Sequence, residues 1–67
     1  MNRTEKIIRI QADKLCGYLG YEAGTKIPFY MLKIIAGKAE FVIVDGKEVK
    51  ITPQMRGIAT IILEKIS

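Results

Sequence analysis

The sequence predicts an α+β domain: a helix, a turn and a second helix, then a β-hairpin and a C-terminal helix. Three observations carry this reading. Ala12, Leu15, Cys16 and Leu19 fall at i, i+3, i+4 and i+7, which places them on one face of a helix. Asp45-Gly46 separates Phe41-Val42-Ile43-Val44 from Lys47-Glu48-Val49-Lys50-Ile51. An Asp-Gly pair between β-rich runs is a strong hairpin signal, because both residues tolerate the positive φ of a primed turn. Thr52-Pro53 then supplies an N-cap and a proline at the first helical position, and Met55, Ile58, Ala59, Ile62 and Ile66 recur at helical spacing.

The elements follow in order. Over residues 3 to 10, Ile8 and Ile10 alternate with Ile7 and Arg9 as in a short strand, while a helix starting at Thr4 fits the same residues. A first helix is predicted over about 11 to 19, with Gly20 where a left-handed residue commonly ends a helix. Tyr21 to Lys26 lacks periodicity and reads as a loop or turn. A second helix is predicted over about 26 to 36, with Thr25 as its cap, Pro28 in its first turn and Gly37 as its stop. Ile27, Met31, Ile34 and Ile35 form one apolar stripe of this helix and Phe29, Leu32 and Ala36 another. Lys26, Tyr30 and Lys33 form a narrow third stripe.

The hairpin register stays open. One pairing groups Phe41 and Ile43 with Val49 and Ile51, the shifted one groups Val42 and Val44 with them, and either way the first strand has apolar groups on both faces. In the last helix Ile61 lies off the apolar stripe, and Gly57 suggests a close helix or backbone approach.

Composition removes several classes of function. With 67 residues the chain forms one domain, and a domain of this size buries only about 60% of the surface its unfolded chain exposes. There is no histidine and one cysteine, so no Ser-His-Asp or Cys-His constellation and no all-protein zinc site is expected. The scattered Asp13, Glu22, Asp45 and Glu48 offer no catalytic carboxylate pair. The chain is expected not to be an enzyme and to need no cofactor. A lone cysteine, Cys16, fits a reducing cytoplasmic compartment and reads as a packed core thiol. No signal-peptide core or apolar run of membrane-spanning length is visible, so no membrane partner is expected. Eleven Lys and Arg against seven Asp and Glu give a net charge of +4, which favours polyanionic partners.

The run Ile10-Gln11-Ala12-Asp13-Lys14-Leu15-Cys16-Gly17-Tyr18-Leu19-Gly20 resembles the opening of excisionase and MerR-like helix-turn-helix proteins. Ala39 to Ile51 with the helix that follows is similar to the wing and last helix of small excisionases. The resemblance implies a small winged-helix-like domain, an architectural or regulatory role on duplex DNA, and an integrase as a further partner. It implies that Lys26, Tyr30 and Lys33 form the DNA-facing stripe of the second helix, that Lys47 sits at the wing tip, and that Lys50 is a flanking phosphate contact. That helix has no Arg, Asn or Gln to read base edges, so the implied binding is mainly to the DNA backbone.

A second reading belongs to a different class. Apolar residues make up 49% of the chain, and the second helix is apolar around most of its circumference. That surplus points to a homo-oligomer: a homodimeric protein–protein interaction module of a phage or mobile element, whose lysines only keep it soluble.

Overall fold

The computed structural model describes residues 2–66, which form three helices and a two-stranded antiparallel sheet. In chain order these are α1 (Arg3–Leu19), α2 (Phe29–Ala36), β1 (Phe41–Val44), β2 (Lys47–Lys50) and α3 (Pro53–Ile66). The α+β class and the order of elements are those the sequence predicts. Among the described residues, no helix is long and apolar enough to cross a membrane.

Two helix boundaries differ from expectation. α1 runs unbroken from Arg3, so residues 3 to 10 are helical and not a strand. Asn2 occupies the N-cap, and its side-chain Oδ1 accepts the Glu5 amide at 2.8 Å. Ile8 lies one helical turn before Ala12 and, like it, packs against the core, while Ile10 is 44% exposed. The apparent alternation at Ile8 and Ile10 therefore came from one inward and one outward helical position. Gly20, with φ 84°, ends α1 in the left-handed conformation, and the Tyr21 amide donates back to the Cys16 carbonyl.

α2 starts at Phe29 and not at 26. Pro28 is extended (φ −59°, ψ 144°) and acts as the N-cap, its carbonyl accepting the Met31 and Leu32 amides at 3.0 and 3.2 Å. Its ring also disfavours helical geometry at the residue before it, which leaves Lys26 and Ile27 in the connection. That connection spans residues 20–28 and is no tight turn. It is pinned to α1 at two points: the Gly24 amide donates to Asp13 Oδ1 at 2.9 Å, and Cys16 Sγ donates to the Thr25 carbonyl at 3.3 Å. Thr25 therefore holds α1 and does not cap α2.

The hairpin register is Phe41 to Lys50, Val42 to Val49, Ile43 to Glu48 and Val44 to Lys47. Asp45 (φ 51°) and Gly46 (φ 78°) both take positive φ, as the primed turn between them requires. Facing residues share a side of the sheet, so Val42, Val44, Lys47 and Val49 lie on one face and Phe41, Ile43, Glu48 and Lys50 on the other. Burial of Val42 and Val44 identifies the first as the inward face.

The core joins Leu15, Cys16 and Leu19 of α1, Met31, Leu32 and Ile35 of α2, Val42 and Val44 of β1, and Met55, Ala59 and Ile62 of α3, with Ile27 and Ile51 from the connections. α3 packs against both α1 and α2, and β1 packs against α2. Thr52 Oγ1 accepts the Met55 amide and so caps α3, whose first residue is Pro53 as expected. Arg56 Nη2 donates to the Ala39 carbonyl at 2.9 Å, tying α3 to the segment that leads into the hairpin.

Gly57 does not mark a close approach. A Cβ built there meets nothing within 4 Å, and it is the fully buried Ala59 that faces the core. With the space open and the helix requiring no special φ, Gly57→Ala is expected to raise stability by about 0.5–1 kcal/mol, read as a higher denaturant midpoint at unchanged slope. A lower midpoint would reveal a neighbour at that face.

Candidate nucleic-acid interface

The five residues singled out for DNA contact do not form one surface. Lys26 leaves the second helix altogether. It lies in the 20–28 connection and borders an open groove of about 220 Å³ lined by Ile8, Ala12, Ile62 and Ile66. Tyr30 and Lys33 do share the outward side of α2, but their neighbours there are Phe29 and Ile34, exposed by 57% and 39%. Lys33 Nζ stands 5.7 Å from the centre of the Phe29 ring, a cation–π contact within one helical turn. Lys47 and Lys50 fall on opposite faces of the hairpin, because β2 places alternate residues on alternate sides.

The Tyr21 phenol is pushed above its ordinary range first by burial, then by the Asp45 carboxylate and by Tyr30. Tyr21 thus feels both the Asp45 carboxylate and Tyr30. The outward side of α2 is chiefly an aromatic and aliphatic surface carrying one cation.

A denser cationic face lies elsewhere. At 100° per residue, Arg3, Lys6, Ile10, Lys14, Gly17 and Tyr18 fall on one side of α1, and all are exposed. The buried Leu15, Cys16 and Leu19 occupy the opposite side. The carboxylates of α1 do not share the stripe's centre. Glu5 lies across the helix from Arg3 and Lys14, and Asp13 is turned to the Gly24 amide. Among the described residues no Lys or Arg is paired with a carboxylate within 4 Å; Arg56 is engaged by the Ala39 carbonyl and Lys33 by the Phe29 ring. The α1 cations are therefore solvated and open to an external anion.

This face was missed because it needs α1 to be helical from Arg3. The available signal was Asn2-Arg3-Thr4-Glu5, an N-cap residue followed three positions later by glutamate, which announces a helix start. Comparison of the chain with family models, with curated proteins and with solved structures finds no match.

Cys16 is fully buried among Leu15, Leu19 and the α3 contact side. Burial, and secondarily Asp13, pushes its thiol above the usual 9.0. The neutral form is thus favoured in the folded chain. Folded-state stability contributed this way is fully present below the unfolded thiol's pKa and is lost as pH rises past it. Cys16 is expected to be silent towards a thiol reagent at pH 8 until the chain unfolds, and stability to begin falling as pH passes about 9. Rapid labelling of the native chain would contradict the packed-thiol assignment.

Proposed function

We propose that the chain is a small basic protein that binds duplex DNA mainly through backbone contacts, in an excisionase-like architectural or regulatory role and not as an enzyme. What carries the reading is the α1 face of Arg3, Lys6 and Lys14, with no carboxylate at its centre and no internal partner for its cations. Helical rise sets Arg3 and Lys14 about 16 Å apart along the axis, a reach of roughly five base steps along one strand. Tyr18 continues the stripe and offers a hydroxyl to a phosphate oxygen. The resemblance to excisionases supports DNA bending and an integrase as a further partner. The contact surface, however, moves from the second helix to the first, and of the wing lysines one face at a time can join it.

A second reading, a homodimeric interaction module, is favoured by a separate observation. Phe29, Tyr30 and Ile34 on α2 and Phe41 and Ile43 on β1 are all exposed, between 39% and 63%. So much aromatic and branched side chain outside the core of a small domain fits an interface between copies.

Fluorescence anisotropy of a labelled duplex across a salt series separates the possibilities. Three neutralised phosphates give a slope of about −2.7 in log affinity against log salt. Lys6→Ala with Lys14→Ala is expected to flatten that slope by about 1.8, and Lys33→Ala to leave it nearly unchanged. A slope that follows Lys33 and not Lys6 and Lys14 would return the interface to α2. No complex at low salt would remove the DNA reading and leave the interaction module.

A further inference from the structure

Phe41 and Ile43 are exposed by 47% and 59% on the outward face of the hairpin. The same two residues have free backbone groups. The turn closes on the Val44–Lys47 pair, and the Ile51 amide donates to the Glu40 carbonyl at 2.8 Å, so the hydrogen-bonded pairs of the ladder are 44 with 47, 42 with 49 and 40 with 51. The alternate residues Phe41 and Ile43 then direct their N–H and C=O away from β2, along the open edge of β1. No group among the described residues meets them there.

The two edges of the sheet differ in protection. β2 carries Lys47, Glu48 and Lys50, the charged residues that discourage edge-to-edge pairing. β1 reads Phe-Val-Ile-Val, with no charge, no proline and a continuous register. An apolar edge with unpaired amides is a template for another strand.

We propose that β1 pairs antiparallel with β1 of a second copy across a two-fold axis at Val42, forming a four-stranded sheet in the order β2-β1-β1-β2. The proposal rests on the self-association reading and is independent of DNA binding. Parity selects the register. Val42 and Val44 already spend their backbone groups on β2, so Phe41 and Ile43 must make the new bonds. The antiparallel register that uses both sets Phe41 opposite Ile43 of the second copy, with Val42 opposite Val42. Because the bonding groups are symmetric about Val42, the second copy satisfies the same positions it occupies. On the outward face Phe41 of each copy meets Ile43 of the other, an aromatic with a β-branched residue, a favourable cross-strand pair. No charge lies on the paired strands to set the +4 chains against each other at the contact. The assembly closes as a dimer because the outer edges it leaves are the charged β2 strands.

The chain is short enough for total synthesis, which allows the test to delete one donor. Sedimentation equilibrium of the unaltered chain is expected to show a dimer. N-methylation of Ile43 removes an N–H that serves nothing within the hairpin and is expected to weaken the dimer at least tenfold, with unchanged circular dichroism. Should that chain fail to fold, the double variant Phe41→Lys, Ile43→Lys addresses the same edge through outward side chains and is expected to dissociate the dimer likewise. Oxidation of Val42→Cys is expected to yield a covalent dimer, since facing residues of a non-bonded pair lie about 4.5 Å apart at Cα. A dimer untouched by the β1 changes but dissociated by Phe29→Lys with Ile34→Lys would overturn strand pairing and keep self-association. A monomer at all concentrations would overturn both.

Discussion

Packing of α3 against both other helices is the constraint on which the rest of the molecule depends. α1 and α2 are joined by residues 20–28, and each finds its main helical partner in α3. Met55, Ala59 and Ile62 fill the space between Leu15, Cys16 and Leu19 on one side and Met31, Leu32 and Ile35 on the other. The methyl of Ala59, fully buried, lets the helices approach where a longer side chain would hold them apart. The same helix positions the hairpin, since Arg56 holds the Ala39 carbonyl just before β1. The two surfaces proposed to bind partners descend from this arrangement: the outward side of α1 and the outward side of the hairpin.

Those surfaces have opposite character, and the chain's shape keeps them so. α1 needs few inward residues because its apolar stripe is narrow, which frees the remainder for Arg3, Lys6 and Lys14. α2 is short and three of its eight residues are buried, so its outward positions retain Phe29, Tyr30 and Ile34. A small domain has too little interior for all of its apolar side chains. The surplus is densest on α2 and β1, where few charges interrupt it, while on α1 Ile10 and Tyr18 are set among cations. The proposed contacts with a polyanion and with a second copy therefore use different residues.

Most of the architecture was legible in the residues because local chemistry dictated it. Gly20 in the left-handed region, the Asp45-Gly46 turn and the Thr52-Pro53 helix start each act within a few residues, and each is found as read. The misread boundaries share a different origin. Residues 3 to 10 satisfied two periodicities, and the Asn2 cap decided between them. Pro28 suits both a first helical turn and the position before it, and the extended conformation it takes removed Lys26 from α2. One displaced boundary was enough to break the expected Lys26-Tyr30-Lys33 stripe.

The sequence by itself determined the class, the order of elements, the inward stripe of α1, that of α3 as far as Ile62 though not to the exposed Ile66, and the surplus of positive charge, because these follow from residue type, spacing and short-range capping. The tertiary structure decided which exposed residues act together. The hairpin register turned Val42 and Val44 inward and left Phe41 and Ile43 outside, and it set Lys47 and Lys50 on opposite faces. It did so because only packing against α2 distinguishes two faces that are both apolar in sequence, and such a choice lies in contacts between distant segments and not in the strand itself.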